Sequence, residues 1–202
     1  YPYISAEQKD YWLNKAQDQL VRDCVAPNDK KDKAFEETQD KLEQIRTLIK
    51  ESPIIYPTTI GTTYISTLPS DYLYKLRHRC ETSSSCGIKN VGGILTKQLY
   101  INNMLKDPFW KPDATDPLYY FIGNTIKYET LGTFSIAGTY LTYVKNPILM
   151  RLGTAYINPT TNVECELPEY SHSNILARAV SMVLENIESQ RSQTNLNELN
   201  KI

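Results

Sequence analysis

At 202 residues the chain can build one domain, or one domain with a sizeable insertion, and can bury enough surface to fold without a metal or disulfide staple. A hydrophobic fraction of 41%, a charged fraction of 22% and a formal net charge of -1 exclude a polycation built to neutralise phosphates, so free nucleic acid is not the expected primary ligand. Tyrosine is the outlier, with 15 residues against 4 Phe, and its rigid ring with a polar tip suits half-buried strands and protein interfaces.

Ser5-Ala6-Glu7-Gln8 is a capping-box pattern, and Trp12, Ala16 and Leu20 follow at helical spacing, with Leu13, Val21 and Cys24 widening the apolar face. This predicts a helix from about Ala6 to Cys24. Ala26-Pro27-Asn28-Asp29 breaks it, after which Phe35, Leu42, Ile45 and Ile49 define a second stripe running to about Lys50. Two helices with so short a connection are expected to pack as an antiparallel hairpin. Glu36, Glu37, Asp40 and Glu43, balanced by Lys33, Lys41 and Arg46, read as a solvated helical face rather than a metal site.

From Pro53 the pattern changes to β-branched and aromatic residues punctuated by Pro and Gly. Ile54-Ile55-Tyr56, Thr59-Ile60 and Thr63-Tyr64-Ile65-Ser66 predict short strands, and Leu68-Pro69-Ser70-Asp71-Tyr72 turns the chain into a longer strand from Leu73 to Thr82. Lys75, Arg77 and Arg79 alternate along that strand, which places three cations on one face, fit to meet an acidic partner or passing DNA. Within Leu95 to Met104 the second half predicts a short helix, stopped by Asp107-Pro108.

In Asp107-Pro108-Phe109-Trp110-Lys111-Pro112 two prolines fix φ around two large aromatics, which predicts a stiff, extended segment. Such a preset anchor suits docking onto a neighbour, which makes Pro108, Phe109, Trp110 and Pro112 candidate interface residues; the other reading is that Phe109 and Trp110 close the protein's own core. Tyr119 to Ile122, Thr125 to Thr130 and Phe134 to Val144, separated by Gly123-Asn124 and Gly132, predict an antiparallel meander, with Tyr140, Thr142 and Val144 on one face of the last strand and Leu141 and Tyr143 on the other.

After Leu167-Pro168-Glu169-Tyr170, Ser171 or Ser173 can cap a helix running to about Gln190. Ile175, Ala179, Val183 and Ile187 form one ridge, and Leu176, Val180 and Leu184 a second. Seven apolar positions worth about 1.5 to 3 kcal/mol each when fully buried predict a helix docked in a core, with the N-terminal hairpin as its partner. Beyond Ser189, Leu196, Leu199 and Ile202 are spaced either for a short amphipathic continuation, which makes them a second candidate interface, or for nothing more than a frayed end. The predicted class is α+β: a helical bundle of the N- and C-terminal helices, residues 1–52 and 167–202, carrying an antiparallel β-rich module over residues 53–166.

Chemistry is sparse. Among the phosphate, metalloprotease and nucleophile-elbow motifs none occurs, and Gly92-Gly93 is a lone turn. His78 stands between Arg77 and Arg79 on a strand, and His172 sits in the turn Ser171-His172-Ser173, neither with an orienting partner in sequence. Cys24, Cys80, Cys86 and Cys165 lie on separate elements without a CxxC pair, so no zinc is expected, and with no secretory leader in view the thiols are expected reduced. No cofactor and no membrane partner is implied, since no apolar run approaches the roughly 20 residues a spanning helix requires. The enzyme reading is therefore set aside. A β-rich carbohydrate or surface-binding module on a helical scaffold is the alternative that tyrosine-rich strands leave open.

Five segments occur in an informative order: Phe35-Glu36-Glu37-Thr38-Gln39 with Leu42; Leu68-Pro69-Ser70-Asp71-Tyr72; Asp107-Pro108-Phe109-Trp110-Lys111-Pro112; Tyr143-Val144-Lys145-Asn146-Pro147; and Leu167-Pro168-Glu169-Tyr170 opening a terminal helix that ends near Glu188-Ser189-Gln190-Arg191. In this order the chain resembles the head-tail connector, or neck ring, proteins of short-tailed, crAss-like bacteriophages. The resemblance implies a structural virion protein at the neck or portal vertex, made in the bacterial host cytoplasm. It implies a homo-oligomeric ring, a dodecamer matched to the portal protein, with tail or other neck proteins as further partners. Genomic DNA would pass through its channel without sequence-specific binding.

Overall fold

In the computed structural model the described residues are 4–25, 35–85, 87–152 and 162–199, with the side chains of 35–38 and 189–199 excepted. They form two compact units, Tyr1–Leu48 with Pro147–Ile202, and Ile49–Asn146. The mixture of helices with mainly antiparallel sheets is an α+β fold.

The first unit holds three helices, α1 (Ala6–Val25), α2 (Phe35–Gln44) and α4 (Glu169–Leu199). The capping box closes reciprocally: Gln8 N donates to Ser5 Oγ at 3.3 Å and Ser5 N to Gln8 Oε1 at 3.1 Å. Ala16, Leu20 and Val21 are buried along α1. Its polar residues serve the chain rather than solvent, since Asn14 binds both N and O of Met150, and Gln17 donates to Ile148 O. These bonds hold 147–152 along α1. The segment expected to break the first helix, Ala26-Pro27-Asn28-Asp29, lies outside the described residues.

Two expectations for this unit are corrected. The second helix stops at Gln44 instead of continuing to Lys50: Ile45 and Leu48 are buried around a 3-10 turn, and Ile49–Glu51 becomes strand β1. β-branched Ile45, Thr47 and Ile49 favour that switch. Neither Ser171 nor Ser173 caps the last helix, which begins at Glu169 directly after Pro168, where a missing N–H costs nothing. Ser171 is buried inside it, donating to Gln44 O, and Tyr170 donates to Glu43 O.

The second unit carries β1 and the remaining strands: β2 (Thr58–Ile60), β3 (Thr63–Thr67), β4 (Tyr72–Ser84), β5 (Gly87–Val91), β6 (Ile94–Leu95), β7 (Leu118–Ile122), β8 (Thr125–Glu129) and β9 (Ser135–Lys145), with helix α3 (Ile101–Lys106) between β6 and β7. They make two sheets, β1-β9-β4-β5 and β2-β3-β8-β7-β6, with β6 and β7 the one parallel pair among the described strands. Cys80, Ile136, Leu141 and Tyr143 from the first sheet meet Tyr119, Ile126 and Tyr128 from the second in one core. The arrangement is a sandwich, not a single closed barrel.

The expected meander is therefore half right. β7 and β8 pair as a hairpin, but β9 leaves for the other sheet, after a turn in which Leu131 (φ 52°) and Gly132 (φ 75°) reverse the backbone. Ile54-Ile55-Tyr56 is likewise no strand, only a single bridge from Ile55 to Thr139. Cys24, Cys80 and Cys165 are free thiols, and Cys86 lies outside the described residues.

Candidate functional site

The proline-flanked aromatics sit directly after α3. Its last turn ends where Asp107 N donates to Asn103 O and Met104 O and Asp107 adopts extended backbone before Pro108. Asp107 then builds a turn, its carboxylate accepting from Phe109 N at 2.9 Å and its carbonyl from Trp110 N at 3.3 Å. The segment is thus a hydrogen-bonded turn and not the extended run expected from its prolines. At the far end Asp113 Oδ1 accepts from Thr115 N, Thr115 Oγ1 and Asp116 N, bonds that hold its carboxyl below the usual range, and Thr82 Oγ1 ties Ala114 O to β4 at 2.6 Å.

Both aromatics are presented outward on this clamp. Phe109 is 92% exposed and Trp110 53%, the latter bordering a shallow depression of about 350 Å³ with Tyr100, Asn103 and Met104. Pro108 is exposed with them, whereas Pro112 is buried and anchors the base of the turn instead of offering a contact.

The three strand cations do not share a face. Register shifts between Lys75 and Arg77 in the β4–β9 pairing break the alternation, so Lys75 turns inward. Its Nζ donates to Tyr119 OH at 3.0 Å and lies over the Tyr119 and Phe121 rings, and burial pushes its pKa down. Arg77 is exposed, and Arg79 is paired with Glu51 at 3.0 Å. What remains outward is Arg77 with a partly engaged Arg79.

His78 occupies the opposite side of β4, only 6% exposed. Nδ1 lies 2.8 Å from Gly92 O, which can only accept, so Nδ1 carries the proton and Nε2 accepts from Tyr128 OH at 2.7 Å. The chain continues through Thr139 Oγ1 at 2.8 Å to Ser66 Oγ at 2.9 Å, bridging both sheets. His78 also stacks on Tyr119 with centroids 4.0 Å apart, and desolvation holds its pKa down to about 4. A buried, neutral imidazole thus links the two sheets through the core. Sequence reading missed this network, although alternation with outward Arg77 and Arg79 places His78 on the core face. His172 is a local helix contact, Nε2 to Leu167 O at 2.8 Å.

A second surface was not foreseen. Of the two ridges on α4, Ile175 and Ala179 are buried, but Leu176, Val180 and Leu184 are 58%, 50% and 54% exposed. Together with Trp12, Leu13 and Leu152 they line a groove of about 550 Å³ in the helical unit. The expectation that all seven apolar positions enter a core is therefore corrected: one ridge stays exposed, and Val183 and Ile187 of the other are only half-buried and line the same groove. Ile202 lies outside the described residues, as do the side chains of Leu196 and Leu199.

A family model described as phage tail ring protein 3/4 matches residues 3–197. The chain belongs to this family, the tail ring proteins of crAss-like phages. Comparison with curated proteins gives no match. As a phage tail ring protein the chain is a structural component that assembles into an oligomeric ring in the virion. Among the described residues no group of three or more His, Cys, Asp or Glu is placed to hold a metal, and no helix is long and apolar enough to cross a membrane. Tyr119, Tyr120, Tyr128 and Tyr143 are buried, while Tyr11, Tyr56, Tyr100 and Tyr170 are exposed.

Proposed function

We propose that this tail ring protein is a head-tail connector subunit, forming a neck ring below the portal that extends the DNA channel and links capsid to tail. The family match over residues 3–197 supports a ring, and the resemblance of the ordered segments to neck ring proteins supports its place. A ring of twelve copies would match the portal. Genomic DNA would pass without base readout, Arg77 and Arg79 being available to phosphates or to an acidic neighbour while Lys75 is withdrawn. In this reading α1, α2 and α4 form a helical bundle whose work is binding. Closure needs a heterologous interface, in which one surface meets a different one on the next copy. Phe109 and Trp110, braced by Pro108 and Pro112, provide one contact, and Leu196, Leu199 and Ile202 a second.

Electron-microscopy class averages of the purified protein, alone and mixed with portal protein, test this. Rotationally symmetric rings, twelvefold and stacking on portal, are expected. A chain that stays monomeric in both mixtures and is absent from tail-less, DNA-filled heads overturns the connector assignment.

A further inference from the structure

We infer that the apolar groove between α1 and α4 receives the Phe109-Trp110 turn of the adjacent copy. The inference rests on the ring reading above and adds to it the receiving surface. In a heterologous ring each copy must carry both an inserting and a receiving element. Phe109 is the most exposed large apolar side chain among the described residues, and it stands on a turn clamped at both ends by Asp107 and Asp113, so little ordering is required on docking. The groove exposes apolar surface only, and its volume of about 550 Å³ is of the size that aromatic anchors fill at hot spots. Leu176, Val180 and Leu184 stand one helical turn apart along its wall and are each about half exposed, so the apolar surface is continuous over two turns.

Charge agrees with this pairing. Among the described residues Lys9 is the one charged side chain lining the groove, while the segment 107–116 holds Asp107, Asp113 and Asp116 against Lys111 alone. The occupant is thus acidic around an aromatic centre, and the receptor is apolar with a cation at its edge. The contact runs between different copies.

Photocrosslinking of assembled rings tests the inference. With p-benzoylphenylalanine at position 109, irradiation is expected to join two copies, the link falling on α1 near Trp12 or on α4 between Leu176 and Leu184. Trp110→Ala and Val180→Glu, both at exposed positions, are each expected to weaken assembly at least about tenfold with unchanged helical content and melting. Mixing these two variants leaves one intact hook and one intact groove per pair, so heterodimers but no rings are expected. Links that stay within one chain, links to another part of the neighbour, or full ring assembly by both variants overturn the inference while leaving the ring reading standing. A wild-type chain that forms no ring overturns both.

Discussion

His78 shows what a single side chain does in this fold. Its neutral ring donates to Gly92 O and accepts from Tyr128, and burial away from water opposes the charge that a second proton on Nε2 would bring. Above pH 6.5 the folded and unfolded forms are both neutral. Between 6.5 and about 4 the unfolded chain takes up a proton that the folded one refuses, so stability falls as pH drops through that window. The loss should reach roughly 3 kcal/mol at its acid end. Urea unfolding across a pH series checks this. A His78→Gln variant should start about 1 to 3 kcal/mol less stable at neutral pH and lose that limb of the curve. The acid response of the wild type is thus expected to begin well above the range of Asp71 and Asp113, whose carboxyls hydrogen bonding holds below their ordinary value. None of this was legible in Arg77-His78-Arg79 beyond the facing of the imidazole, because Tyr128, Thr139 and Ser66 come from three other strands.

At the scale of elements, the helices and the longest strands were legible because their signals are local. The Ser5–Gln8 capping box and the Asp107-Pro108 stop both act within a few residues of the feature they control. The end of α2 was misjudged because Leu42, Ile45 and Ile49 keep a helical spacing while β9 recruits Ile49–Glu51 from nearly a hundred residues away. The same kind of remote pairing moved β9 out of the expected meander and turned Lys75 inward across a bulge. Glycine separates turns that tolerate a side chain from those that do not. Gly93 has φ +68° and a Cβ there would stand 2.7 Å from Pro117 O, beside the β6–β7 pairing, whereas Gly61 at φ +64° faces open space. Gly93→Ala should therefore cost more than the about 1 to 2 kcal/mol of left-handed strain that is all Gly61→Ala incurs. Equal denaturant midpoints for the two variants would contradict this account.

For the molecule as a whole, the α4 ridge is the instructive case. Helical periodicity identified Leu176, Val180 and Leu184 as apolar, and chain length made burial in the same subunit the natural inference. Periodicity reports which face avoids water, not which copy covers it. Around Phe109 and Trp110 two prolines advertised a constrained backbone, though neither the exposure of the two rings nor the Asp107 turn that carries them. The β-rich unit holds its own core and both of its sheets within Ile49–Asn146, so that fragment, expressed alone, should unfold cooperatively in a single transition. A fragment lacking slow amide exchange at Tyr128 and Leu141 would show that the core needs the rest of the chain. Ile49 lies opposite Val144 and Glu51 opposite Thr142, so the polypeptide departs and returns through neighbouring strands of one ladder. Two crossovers in the coding DNA, just outside those codons, could therefore exchange the whole cassette for another with adjoining ends. Related phages would then be free to reshape this part of the ring without rethreading a helix.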